Sequence, residues 1–190
     1  MNDDELWAAI DGQRERLATF FDGLSAEEWS RPSLCDRWSV RDVAAHLTYA
    51  QITVPEIMLE VLRTRGSLYK STIRRAQRPT GELVASIRGM IGSRKHVAVV
   101  TPRETLIDIL VHSQDVAIPL GRPFDLDREA AVVAAGRAWE LGYPFRARRR
   151  FKGRKLVATD ADFVRGEGEP VERPIGELLL MITGRRIPTG

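Results

Sequence analysis

A stripe of acidic and imidazole side chains runs along one predicted helix of this sequence. Its members are Glu104, Asp108, His112 and Asp115. On an α-helix that advances by about 100° per residue, these side chains fall within an arc of roughly 80°. Apolar residues border the stripe on both sides: Ile107 and Val111, Ile109 and Val116. Because apolar neighbours indicate a buried or cleft-facing surface, where unpaired charge is costly, the stripe is a candidate site.

Two interpretations of the stripe stay open at this point. Side chains four residues apart lie one above the other, so Asp108 and His112 can grip one ion or simply hydrogen-bond within the helix. Glu104 lies in the first turn, where an acid is favourable and needs no further explanation. Asp115 lies near the helix end, and it would either orient a metal-binding histidine or hydrogen-bond the following loop.

A second histidine, His46, lies beside a core-facing stripe in the segment VRDVAAHL. Asp42, one turn earlier, is explained by its place in the first turn of that helix. One histidine from this helix, added to an aspartate and a histidine from the other, would give three protein ligands. Three N and O donors with an open position are typical of catalytic rather than structural zinc sites. His96 lies in a basic connection, and we expect it to be exposed.

The single cysteine and the start of the chain bear on where the protein is expected to work. The chain of 190 residues has a single cysteine, Cys35, which excludes an internal disulfide and suits a reducing cytoplasm. Cys35 is a possible nucleophile, but no histidine is adjacent to it in sequence, and a small apolar filler is the favoured interpretation. The acidic start lacks the order of a secretory signal, and no apolar run is long enough to span a membrane.

Basic residues cluster in 63–78 and 146–155. Such clusters can hold acidic small molecules, although most are solvated surfaces. No nucleic-acid motif accompanies them, so we expect no nucleic-acid binding. An apolar surplus on the first predicted helix makes a homodimer plausible.

Helical periodicity dominates the first 142 residues. It predicts helices over 3–23, a short turn after Ser25, Ser39 to about 62, Pro79 to about 92, Pro102 to about 120, and 128–141. The segment 63–78 is predicted to be a basic loop. From about residue 145 the pattern favours a hairpin or small sheet and a closing helix that stops at Gly184. The expected fold is mainly α: a bundle over 1–144 and a small α/β extension, 145–190, packed on it.

Two motifs in order, LCDRWSVRDVAAHLTYA and LIDILVHSQDVAIPLGRP, resemble the DinB-like superfamily. Within that superfamily, the motifs more narrowly resemble the actinobacterial branch related to the N-terminal domain of mycothiol-dependent maleylpyruvate isomerase. The tail VRGEGEPVERPIGELLLMITGRR is similar to the closing segment of that branch. The resemblance implies a four-helix bundle with up-down-down-up connectivity and a divalent metal, zinc or nickel. The implied ligands are His46, Asp108 and His112. The isomerase has glutamate where this chain has Asp108.

The resemblance also implies a chemistry. We expect a metal-dependent transferase or isomerase that acts on a small electrophilic substrate with the help of a low-molecular-weight thiol. Mycothiol is the first candidate for this thiol. Asp115 would support the metal ligands. The alternative is a non-catalytic module that binds a small molecule or a metal with the same bundle.

Overall fold

The computed structural model describes residues 1–96 and 100–186, and it confirms a mainly helical fold with a small C-terminal sheet. The helices are α1 (Asp3–Asp22), α2 (Ala26–Ser30), α3 (Val40–Leu47), α4 (Val54–Thr64), α5 (Leu68–Arg75), α6 (Thr80–Arg88), α7 (Pro102–Leu120), α8 (Arg128–Glu140), α9 (Ala147–Arg150) and α10 (Ile175–Ile182). The strands are β1 (Arg154–Ala158), β2 (Val164–Gly166) and β3 (Glu169–Arg173). None of the described helices is long and apolar enough to cross a membrane.

Local sequence determines where the helices of the site begin. In α3 the Ser39 side chain accepts from the backbone N–H of Asp42, and the Asp42 carboxylate accepts from the Ser39 N–H in return. Thr101 and Glu104 form the same capping box at the start of α7, directly before Pro102. Each box satisfies backbone donors that a helix start leaves unpaired. The two helices that carry the candidate ligands therefore start at defined residues.

The long helix predicted from Ser39 to about residue 62 is wrong. A 3₁₀ turn, Thr48–Gln51, follows α3, and a new helix, α4, begins at Val54. Thr53 forms a capping box with Glu56, and Pro55 lies in the first turn. Proline lacks an N–H, which suits the start of a helix and breaks its interior.

The segment 63–78 is not the predicted basic loop. It contains α5, whose first turn is capped by the Ser67 side chain accepting from the N–H of Lys70. Serine at this position is a strong helix-start signal. The basic residues of the segment are therefore presented largely from a helix.

One cluster of buried apolar side chains joins α1, α3, α6, α7, α8 and α10. It includes Trp7, Trp29 and Trp139. Most apolar residues of α1, on which the expected homodimer rests, are buried within the chain. Exposed apolar side chains lie instead on α4: Val54, Met58, Leu59, Val61 and Leu62. The homodimer and the up-down-down-up order of the bundle stay predictions.

The C-terminal segment forms a sheet of order β2-β1-β3, with β1 antiparallel to β2 and parallel to β3. Leu156 on β1 and Leu178 on α10 are fully buried in the same cluster as the helices before residue 144. The division of the chain at residue 144 stays a prediction. Gly184, with φ of 95°, follows α10 as predicted, and the chain then delivers Arg185 to the candidate site.

Candidate metal centre

Helices α3 and α7 bring His46, Asp108 and His112 together. Asp108 Oδ1 lies 3.4 Å from the Nε2 atom of His46 and 3.4 Å from the Nε2 atom of His112. One ligand atom from each side chain lies within 4.8 Å of the other two. The stripe predicted on α7 and the histidine predicted on α3 therefore face the same point. Metal binding by the three stays a prediction.

The donor set fits a divalent cation of the zinc or nickel type. Imidazole nitrogen suits both metals, and zinc also takes carboxylate oxygen. Separations of 3.4 Å exceed the usual length of an N–H···O hydrogen bond. Tetrahedral bonds of about 2.1 Å place neighbouring ligand atoms about 3.4 Å apart. The two separations from Asp108 thus match those of ligands around one ion.

Charge is concentrated at this point of the protein. Burial opposes ionisation of Asp108, yet the two histidines outweigh it and hold the pKa of that carboxyl far below its usual range. Burial also opposes protonation of His112, while Asp108, Asp115 and Cys35 raise its pKa well above the usual value. The Asp108 side chain keeps 40% of its surface accessible, so a small molecule can reach the carboxylate.

Asp115 holds the opposite edge of the His112 ring. Its Oδ2 atom lies 2.8 Å from His112 Nδ1, and the Asp115 side chain is completely buried. Arg185 donates to both oxygens, from Nε to Oδ1 at 3.0 Å and from Nη2 to Oδ2 at 2.8 Å. Burial favours the neutral acid, but these partners outweigh it and lower the pKa of Asp115 to about 2. The sequence left two roles open for Asp115, orienting a histidine or hydrogen-bonding the loop that follows the helix. The structure shows its side chain in contact with His112.

The thiol of Cys35 belongs to the same cluster. Its Sγ atom donates to Asp115 Oδ2 at 3.0 Å and lies 3.5 Å from His112 Nδ1. Cys35 packs against the core, as expected of a filler, but its thiol also hydrogen-bonds with Asp115. The loop that carries it is anchored by Leu34, whose N–H donates to the Asp115 carbonyl at 2.9 Å. A cavity of about 820 Å³ borders Cys35 and Arg185 on this side of His112.

The His46 ring is positioned differently from that of His112. Among the described residues, its buried Nδ1 atom has no hydrogen-bond partner. The ring packs instead against Trp38, with centroids 5.0 Å apart, and edge-on against His112 at 4.8 Å. Packing on an indole therefore replaces the outer hydrogen bond that metal-binding histidines usually make.

A cavity of about 490 Å³ opens beside His46 and Asp108. Its described lining comes from α3, the 3₁₀ turn, the connection before α7, α7, α8 and the segment after α8. It contains no residue of 63–78 or 146–155. The basic segments thus do not reach this cavity within the described part of the chain. His96 is exposed, as expected, but it lines the cavity and stacks near Trp7 at 6.1 Å.

The fold and the site define a class: a mainly helical protein with two histidines and an aspartate gathered between two helices. Residues 10–82 match the family model of the mycothiol maleylpyruvate isomerase N-terminal domain, which confirms the resemblance seen in the motifs. No curated protein gave a significant match.

Two solved structures are similar to nearly the whole chain. One is the crystal structure of mycothiol-dependent maleylpyruvate isomerase, with 13% sequence identity and a TM-score of 0.67. The other is a histidine-to-alanine mutant of a mycothiol-dependent maleylpyruvate isomerase, with 12% identity and a TM-score of 0.66. Each match covers 98% of this chain and 90% of the other. At this level of identity the match shows the fold.

Proposed function

We propose that the protein is a metal-dependent enzyme that uses a low-molecular-weight thiol of the mycothiol type. It either transfers this thiol to a small electrophile or uses the thiol to isomerise the electrophile. His46, Asp108 and His112 hold the divalent cation, zinc or nickel. Asp115 orients His112. The enzyme works in the cytoplasm, as its single cysteine suggests, and its bundle spans 1–144 with an extension over 145–190.

One observation carries this proposal: three ligand-type atoms from two helices lie within 4.8 Å of one another at the edge of a cavity. Isolated acids and histidines are common on protein surfaces, but this set borders a space large enough for a small molecule. The family match over residues 10–82 supports a thiol-dependent isomerase independently of this geometry.

The chain's own residues prepare the site. Asp115 accepts the Nδ1 proton of His112, which fixes the tautomer and leaves the Nε2 lone pair directed towards Asp108. Arg185 balances the buried charge of Asp115. A bound divalent cation supplies the positive charge that favours the thiolate form of a thiol at the open position. The cavity beside Asp108 holds the electrophile within reach.

Metal analysis of the full chain tests the site. We expect about one zinc or nickel ion per chain after incubation with micromolar metal, and loss of that ion in His46→Ala, Asp108→Ala and His112→Ala. His96→Ala is the matched control, because this histidine lines the same cavity but is not a member of the three-residue cluster. No stoichiometric metal in the unmodified protein would overturn the proposed centre.

Thiol consumption tests the chemistry. The metal-loaded protein, given mycothiol and a panel of small electrophiles, is expected to consume the thiol faster than the His112→Ala variant. Metal binding without consumption, together with thermal stabilisation by a ligand, would identify the non-catalytic module instead.

A further inference from the structure

The wall of the cavity beside Asp108 is largely apolar. The side chains that form it include Tyr49, Ile107, Leu141, Tyr143 and Phe145. Three aromatic rings and two aliphatic side chains offer contact surface for a molecule with an apolar body. The volume of about 490 Å³ lies in the range of small-molecule sites and accommodates a substituted aromatic ring.

Apart from the cation proposed at Asp108, the described lining of this cavity offers a substrate little positive charge. Arg137 is the one arginine among the described lining residues, and no lysine lines it there. Its Nε atom donates to Glu104 Oε1, so a carboxylate of the protein already compensates its charge.

Glu104 is itself held in place. Its Oε2 atom accepts from the Thr101 N–H at 2.8 Å and from the Thr101 hydroxyl. Burial opposes ionisation of Glu104, but Thr101 and Arg137 outweigh it and lower its pKa. Glu104 is therefore ionised near neutral pH, and its pairing with Arg137 persists.

These features disfavour a substrate with two carboxylates. Each carboxylate that enters an apolar cavity loses hydration, and that loss is recovered only with a cation or several donors. One carboxylate can reach the proposed cation, but Arg137 is already paired with Glu104, so the second finds no unpaired arginine or lysine among the described lining residues. An uncharged molecule does not incur this cost.

We propose that this cavity takes an uncharged, largely apolar electrophile of about the size of a substituted aromatic ring, and discriminates against small dicarboxylates. The inference rests on the proposed function in placing the reaction at the Asp108 and His46 end of the cavity. Glu104 is the residue that sets the discrimination, because it neutralises Arg137.

Binding of unreactive probes to the full chain tests the selectivity separately from turnover. The probes are 4-phenyl-2-butanone, dimethyl succinate and succinate. The second and third share one carbon skeleton and differ in charge and in the two ester methyl groups. Titration calorimetry is done on protein treated with chelator, because carboxylates bind cations directly. We expect the phenyl ketone to bind at least about tenfold more tightly than succinate, and dimethyl succinate also to bind more tightly than succinate.

Substitutions locate the effect. Glu104→Gln frees Arg137 while the glutamine still caps the helix, since glutamine serves in a capping box. It should strengthen succinate binding about fivefold and leave ketone binding unchanged. Glu56→Gln is the matched control, a capping-box glutamate outside the described cavity lining, and should change neither. Phe145→Ala should weaken ketone binding several-fold.

Several results would overturn the inference. They are succinate binding to the unmodified protein as tightly as the uncharged probes, no measurable binding of any probe, or unchanged succinate binding in Glu104→Gln. Failure of the proposed function has a different signature, the absence of stoichiometric metal and of thiol consumption. Either result can occur without the other.

Discussion

His112 Nδ1 lies 2.8 Å from the buried Asp115 carboxylate, whereas the Nδ1 atom of His46 has no partner among the described residues. The two imidazoles of the candidate centre are thus oriented by different forces. A charged hydrogen bond aligns His112, and that bond is supported in turn by Arg185. Ring packing on Trp38 aligns His46. Each arrangement leads to its own prediction.

Asp115→Asn should weaken zinc binding by about 10- to 100-fold, the usual effect of losing an outer partner of a metal-binding histidine. Asparagine keeps the shape of the side chain but loses the charge that stabilises the Nδ1–H donor. Competition with a zinc-binding dye measures the change on folded protein, verified by circular dichroism.

Asp127→Asn is the control for this variant. Asp127 caps α8 by accepting from the Ala130 N–H, and asparagine caps equally well, so zinc affinity should not change. Equal zinc affinity in Asp115→Asn and Asp127→Asn would contradict an orienting role for Asp115.

Trp38→Ala should also weaken zinc binding, by roughly tenfold, because the His46 ring loses its packing partner and a ligand must be held rigidly to bind well. Trp38→Phe keeps a flat ring and should retain affinity within about threefold. The same dye competition measures both variants. If both bind zinc like the unmodified protein, packing on Trp38 is not what positions His46.

Sequence periodicity was sufficient to predict α1, α7 and α8, because each has a long apolar pattern and a recognisable cap. It failed at Thr53, where a capping box and Pro55 start α4 inside an apolar pattern that otherwise reads as continuous helix. The capping box and the proline are visible in the sequence, but an assignment based on apolar periodicity alone does not use them.

Part of the candidate site could likewise be predicted from the sequence, and part could not. His46, Asp108 and His112 were identifiable because each lies on a helix beside apolar positions, and their convergence follows from packing α3 against α7. The contacts of Cys35 and Arg185 with Asp115 were not identifiable in this way. These pairs are 80 and 70 residues apart, and loop conformations alone bring them together.

Glu104→Gln should make stability less dependent on acid pH. The pKa of Glu104 is lowered in the folded chain, so its ionised form contributes stability above the unfolded pKa of about 4.3. That contribution is lost as pH falls through the folded pKa. At pH 7 the variant should be less stable by about 1 kcal/mol, the upper range for a partly exposed ion pair. Urea unfolding at pH 7 and pH 3 measures it.

Arg78 and Glu82 provide the comparison for this prediction. They form an exposed pair at 3.3 Å, whose side chains are 41% and 55% accessible. Glu82→Gln should change stability less than Glu104→Gln at pH 7. A loss in Glu104→Gln that is as large at pH 3 as at pH 7 would show that the ionised carboxylate is not its cause.

Cys35→Ala and Cys35→Ser separate a supporting thiol from a catalytic one. In the proposed function the reacting sulfur belongs to the added thiol, while the Cys35 Sγ–H satisfies one oxygen of Asp115. Serine replaces that donor, so Cys35→Ser should keep thiol consumption and zinc affinity within about threefold. Alanine removes it from a buried carboxylate, which should cost about 1–3 kcal/mol in unfolding free energy. Loss of thiol consumption by at least about 1000-fold in both variants, with zinc still bound, would make Cys35 the nucleophile.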